Sequence, residues 1–160
     1  MIVGWNLFAW FAVAAMVLSA VAAVAAWGDK RRVALACAVL GVLALATFVA
    51  LFWTTLGRPP LRTMGETRLW YSLCLLVAGA FTYWRWRYRW ILSFSTLLAS
   101  VFMIINIARP EIHDQTLMPA LQSGWFVPHV AVYMFSYALL GCATLMAIYG
   151  LFRKDRDLTQ

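Results

Sequence analysis

Five stretches of this 160-residue chain contain no charged residue: 2–28, 33–57, 69–84, 90–108 and 115–152. The thirteen Lys and Arg and six Asp and Glu are crowded into the gaps and the tail. A helix crosses the hydrocarbon core of a bilayer with about 17–25 apolar residues. Each stretch has that capacity, the third only when it borrows from its flanks. Composition agrees: 64% of residues are hydrophobic and 12% charged, against roughly half and a quarter in a soluble domain. The pattern predicts an all-α polytopic membrane bundle of five transmembrane helices and excludes a soluble Rossmann or barrel enzyme, a secreted disulfide scaffold and an extended disordered chain.

The expected helices are about 2–27, 33–56, 66–84, 90–108 and 125–152, in a single transmembrane domain spanning 1–160. Gly28-Asp29-Lys30-Arg31-Arg32 is long enough only for a hairpin of antiparallel helices. Pro59-Pro60 ends the second helix, because proline lacks the N–H and clashes with the preceding turn. In Trp84-Arg85-Trp86-Arg87-Tyr88-Arg89-Trp90, aromatic and basic residues alternate, which suits the headgroup layer. The apolar N-terminus reads as a retained helix, since no Lys or Arg precedes Lys30 and a signal peptide needs a positive leading segment. Residues 109–124 form the longest polar link.

Counting Lys and Arg on alternate sides gives orientation, because cytoplasmic loops are enriched in them. The links after helices 1 and 3 together with the tail hold nine, and the opposite side holds four. The N-terminus is therefore expected outside and the C-terminus in the cytoplasm. The net charge of +7 arises from these anchoring loops, so no nucleic-acid partner is expected; the partner of these surfaces is the lipid bilayer. Cys37, Cys74 and Cys142 each lie inside an apolar stretch and read as small packing residues. The sequence has no Cys-x-x-Cys-His, hence no covalent c-type haem site of its own.

Helix 5 carries the chemistry. Ser123 is placed to cap it, and Pro128 falls in the first turn, where a missing N–H costs nothing. His129 lies four residues inside Trp125, roughly 6 Å deeper at 1.5 Å per residue. From His129, the positions Tyr133, Ser136, Tyr137 and Thr144 continue a polar stripe down one face. Hydroxyls on such a stripe serve as glue between helices. An ionisable imidazole at the edge of a membrane helix is by default a functional-site hypothesis, and histidine is an axial haem ligand. Residue type alone leaves two readings open, a haem ligand and a packing histidine hydrogen-bonded at headgroup level. Elsewhere, His113 with Glu111 and Asp114 reads as a solvated turn. Glu66 and Arg68, at the mouth of helix 3, suit an interfacial ion pair, contacts to haem propionates, or, for Glu66, an acid favoured by the helix dipole.

The string Pro119-Ala120-Leu121-Gln122-Ser123-Gly124-Trp125, followed by His129-Val130 and Ser136-Tyr137-Ala138, resembles the cytochrome c assembly protein family of the CcsA/ResC type (system II haem handling). Pro60-Leu61 followed by Glu66 is similar to an earlier segment of that family, with Gly65 where the family usually has Tyr. The similarity covers about residues 57–150. It implies that His129 is the first of two external histidines that ligate haem iron, with non-covalent, transient haem b walled by Trp125, Tyr133 and Tyr137 and approached by Glu66. It implies a bacterial-type inner (cytoplasmic) membrane and apocytochrome c as the protein served. The family's Trp-rich loop and second histidine lie downstream of this helix and do not occur within these 160 residues. The resemblance thus covers the front part of the family, so the chain is either a split subunit or a fragment, and a complete haem-handling site implies a membrane partner subunit that carries both. The chain is then part of a haem-attachment complex and not catalytic alone. The competing expectation is a non-catalytic membrane scaffold or a small-solute transporter subunit, with His129 a packing residue.

Overall fold

The structure is a computed structural model that describes residues 5–61, 63–108 and 125–152. It contains five helices: α1 (Trp5–Trp27), α2 (Arg31–Leu56), α3 (Met64–Trp86), α4 (Arg89–Ala108) and α5 (Phe126–Phe152). No strand occurs among the described residues. The helices match the expected ones in number and order, with shifted ends. α2 begins at Arg31 rather than 33. α3 begins at Met64 rather than Glu66 and runs on to Trp86, so the aromatic and basic turn between α3 and α4 shrinks to Arg87 and Tyr88. The expected cap at Ser123, the link 109–124 and the tail after 152 lie outside the described residues.

Helices α1, α2 and α4 are long and apolar enough to cross a membrane. With several such helices this is a multi-pass membrane protein. α3 is as long as α1 but carries Glu66 and Arg68 in its first turns and Arg85 in its last.

The first four helices pack through one repeated device. On α1 the buried residues are Phe8, Ala12, Ala15, Ser19, Ala22 and Ala26; on α2 they include Ala34, Ala38, Gly41, Leu45, Phe48 and Phe52. Both series step alternately by four and three residues, the 3.5-residue period that keeps one seam of a helix facing its neighbour. α3 repeats it at Gly65, Leu69, Ser72, Leu76, Gly79 and Tyr83, and α4 at Leu92, Thr96, Ala99, Met103 and Asn106. α1 packs mainly on α2 and α3 mainly on α4, with lesser contacts joining α1 to α4 and α2 to α3.

Side-chain size is graded along the α1–α2 seam. Near the hairpin link it is built from Ala22, Ala26, Ala34 and Ala38, which lie against Tyr83 and Leu92. At the far end Trp5, Phe8, Phe11, Phe48 and Phe52 form an aromatic cluster, with Phe48 and Phe52 stacked at 5.5 Å. Close approach between α3 and α4 depends on Gly79: a Cβ there would fall 2.7 Å from Ser95 Cβ. Several hydroxyls within the helices are satisfied locally. Ser19, Thr47, Thr82 and Ser100 each donate to the carbonyl four residues back, as an apolar solvent demands.

The two hairpin links meet at one end of the bundle. Asp29 Oδ1 accepts from Arg89 at 2.8 Å and from Arg87 at 3.4 Å. Trp27 Nε1 donates to Ser93 Oγ at 2.9 Å, and Arg31 Nη2 to the Trp84 carbonyl at 3.2 Å. Asp29 itself has φ 59°, a left-handed conformation that Asp and Asn adopt more readily than other non-glycine residues.

Candidate functional site

Two polar sites occupy different surroundings. The first stands where α2 hands over to α3. Gly57, at φ 61°, ends α2 in the left-handed conformation that favours glycine. Pro59 and Pro60 then turn the chain, and Leu61 N donates to the Pro59 carbonyl at 2.9 Å. Thr63 is the N-cap of α3, and its hydroxyl accepts from Glu66 N at 3.2 Å while Thr63 N donates to Glu66 Oε2 at 3.2 Å. This reciprocal pair is a capping box, which satisfies two otherwise orphaned backbone donors.

Glu66 is only 1% exposed. Arg58 grips it with two parallel bonds, Nη2 to Oε1 at 3.0 Å and Nη1 to Oε2 at 3.1 Å. Such fork-to-fork pairing fixes geometry as well as charge. Next to it Asn106 Nδ2, from the last turns of α4, donates to the Gly65 carbonyl at 2.9 Å. One buried carboxylate thus ties the α2–α3 link to α3, and Asn106 fastens the end of α4 to the same turn. The arginine that grips Glu66 is Arg58, across the proline turn, rather than Arg68. The Thr63–Glu66 spacing announces the capping box; Arg58 and Asn106 are the residues sequence reasoning missed. A solitary Asn in an apolar helix is the available signal for Asn106.

The second site is on α5. His129 lies in its first turn, where its backbone N–H donates to the Trp125 carbonyl at 3.3 Å. The imidazole meets the Tyr133 ring edge-on, with centroids 4.6 Å apart, and Tyr133 meets Tyr137 at 5.6 Å. The i, i+4, i+8 spacing therefore produces a continuous aromatic ladder capped by an imidazole. The ladder is open: Trp125 is 83% exposed, Tyr133 48% and Tyr137 54%, and His129 and Ser136 are exposed as well. Thr144 closes its hydroxyl on the Leu140 carbonyl at 2.8 Å. Among the described side chains of α5, Met134 alone is buried, and α5 reaches the bundle through α3.

Of the residues expected at a haem site, then, His129, Tyr133 and Tyr137 form one surface beginning beside Trp125. Glu66 belongs to the separate α2–α3 junction, with both carboxylate oxygens engaged by Arg58. No group of three or more His, Cys, Asp or Glu that could hold a metal ion occurs among the described residues. His113, Glu111 and Asp114 lie outside the described residues.

The sequence profile described as Cytochrome C assembly protein matches residues 62–159, which takes in α3, α4 and α5. The chain belongs to the cytochrome c assembly protein family. It is similar to the cytochrome c biogenesis protein CcsA of Cyanophora paradoxa, 32% identical over 120 residues that make up 68% of this chain and 36% of that protein. CcsA of Pelargonium hortorum is 31% identical over 127 residues, covering 75% of this chain and 40% of the relative. CcsA of the cyanobacterium Picosynechococcus sp. is 28% identical over 109 residues, covering 66% and 32%. The chain thus spans about a third of the length of the curated relatives it matches. No solved structure matches it.

Proposed function

We propose that this family member is a membrane subunit of a cytochrome c biogenesis machine, in which α5 offers haem an axial ligand at the outer face of the membrane. The observation that carries this reading is the ladder on α5. An exposed imidazole sits at the first turn of an apolar helix, continued by two tyrosine rings, on a helix that leaves this face uncovered. An exposed imidazole can approach an iron atom without rearrangement, and flanking rings provide the apolar wall that a porphyrin face requires. Haem is cargo here: its vinyl groups and the thiols of an apocytochrome c supply the bond-forming chemistry, while the protein supplies position and ligation.

In this reading His129 holds the iron through one ring nitrogen, and Tyr133, packed edge-on against the imidazole, fixes the plane of the ring. Tyr137 and Trp125 extend the apolar wall on either side. The second axial ligand and a Trp-rich loop come from a membrane partner subunit that covers the open face. The distribution of Lys and Arg supports five spans with the N-terminus outside; in this reading His129 faces the side where cytochromes c mature, in a bacterial-type cytoplasmic membrane, and the haem is b-type, bound transiently and without covalent attachment. Glu66 contributes by fixing the entry to α3 rather than by touching haem.

His129→Ala tests the assignment. The expected result is loss of bound haem, read as the Soret band of the purified complex, and loss of cytochrome c maturation, with protein abundance unchanged. Added imidazole should restore part of both, since a small ligand can occupy the vacated position. His113→Ala is the control and should retain haem. Equal haem loss in the two variants would withdraw the assignment, and normal haem in His129→Ala would leave the chain a scaffold or transporter subunit.

A further inference from the structure

At the end of the bundle where the two hairpin links meet, a groove of about 330 Å³ opens between α2 and α3. Leu35 and Val39 of α2 and Ala80, Phe81 and Trp84 of α3 line it. Apolar grooves between membrane helices are common; what distinguishes this one is its rim. Arg31 and Arg32 precede Leu35 by four and three residues and Val39 by eight and seven, so both stand above the groove on the lining face of α2. Arg85 follows Phe81 by four residues and stands above it on α3 in the same way.

All three arginines are exposed. Arg31 is drawn over the groove by its 3.2 Å bond to the carbonyl of Trp84, a lining residue. The Arg85 guanidinium lies 5.4 Å from the centre of the Trp86 ring. Asp29, in the α1–α2 link, faces Arg87 and Arg89 instead. Glu66, the remaining acid among the described residues, is buried against Arg58. The rim is therefore a cationic cluster directly above a carbon-lined groove, with indole rings at headgroup level.

We propose that this groove binds an anionic phospholipid. One acyl chain lies along Leu35, Val39, Ala80 and Phe81, and the phosphate is held among Arg31, Arg32 and Arg85. The amphiphile must carry an apolar tail and a compact anion, which is the chemistry of basic pockets between membrane helices. None of the five lining residues offers an iron ligand, so the groove is distinct from the His129 surface, and this inference does not depend on the haem reading. A lipid there bridges α2 to α3, which contact each other far less than α1 does α2 or α3 does α4.

The test uses the full chain in detergent, titrated with phosphatidylglycerol or with phosphatidylcholine of the same acyl chains, and counts retained lipid by native mass spectrometry. Preferential retention of phosphatidylglycerol is expected. A basic residue near the anion contributes about fivefold in affinity, so Arg31→Gln with Arg32→Gln should weaken it about 25-fold and leave phosphatidylcholine unaffected. Arg87→Gln with Arg89→Gln removes the same formal charge from the same end and should leave binding within about twofold. Val39→Trp fills the groove from a half-exposed position, sparing the core, and should abolish selective retention with every arginine in place. Equal retention of the two lipids, equal loss in both arginine pairs, or undiminished phosphatidylglycerol in Val39→Trp would each overturn the proposal.

Discussion

The junction at Glu66 and the ladder at His129 are both polar sites in an apolar protein, and they are built on opposite terms. At Glu66 the polar groups of the turn interlock: Arg58 on both carboxylate oxygens, Thr63 in reciprocal capping bonds, Asn106 Nδ2 on the adjacent carbonyl. At His129 the imidazole meets Tyr133 and Tyr133 meets Tyr137, and all three side chains are exposed. The first arrangement is closed and holds helices together. The second is open and offers its groups outward. A buried charge is tolerated only when fully paired, whereas a ligand-binding group must keep its valence free, so the two cannot be exchanged. The difference separates polarity that closes a junction between helices from polarity left exposed on a helix face.

The sharpest way to break the comparison is to remove one partner at the closed site. Glu66→Leu leaves the Arg58 guanidinium half-buried without its carboxylate, a change that costs about 3–5 kcal/mol in buried pairs. Unfolding in mixed micelles, followed by circular dichroism, should show a large loss of stability. The double variant Arg58→Met with Glu66→Leu should recover most of it, because a buried ion pair replaced by apolar groups of similar size is often near neutral. A Glu66→Leu protein as stable as wild type would mean that the junction does not hold the bundle.

A smaller effect is expected in the α3–α4 seam. Gly79→Ala places a methyl group 2.7 Å from Ser95 Cβ, and overpacking of this kind costs about 1–3 kcal/mol. Ser95→Gly removes the atoms that collide and should rescue Gly79→Ala in a double-mutant cycle on the same unfolding assay. Additive losses would show that the close approach at Gly79 is not what positions α4.

Much of this body is legible in the amino-acid sequence. Charge-free stretches predict five helices in the right order, because hydrophobic span length is a property of local sequence. The Ala-rich face of α1 and α2 is visible as composition, but which residues form the buried seam is a matter of packing, as where Gly41 seats against the backbone of Ala15. The helix ends depart from expectation where capping competes with charge: Glu66 looks like the first residue of a helix, yet Thr63 caps it three residues earlier. The Arg58–Glu66 pair is hidden in the sequence because its geometry depends on how Pro59-Pro60 turns the chain. Proximity in sequence points to Arg68 instead. On α5 the i, i+4, i+8 stripe forms one face as expected, since helical periodicity alone determines it. Whether that face is covered does not follow from periodicity, because coverage is a tertiary property.

The smallest effect on stability is expected on that open face. Tyr133→Ala removes the ring between His129 and Tyr137. An aromatic pair contributes about 0.5–1.5 kcal/mol beyond burial, and substitutions at exposed positions usually stay within about 0.5 kcal/mol. With Tyr133 half exposed and in contact with no other described ring, the lower end of the range applies, near 0.5 kcal/mol and well below the Gly79→Ala loss. The unfolding midpoint should therefore barely move, while haem retention falls because the imidazole loses the ring that orients it. Tyr133→Phe keeps the ring without the hydroxyl and should retain haem, which separates orientation of His129 from hydrogen bonding by the phenol. If Tyr133→Ala destabilises the protein as much as Gly79→Ala does, α5 is packed like α1–α4. The contrast between a closed body and an open ladder would then be lost.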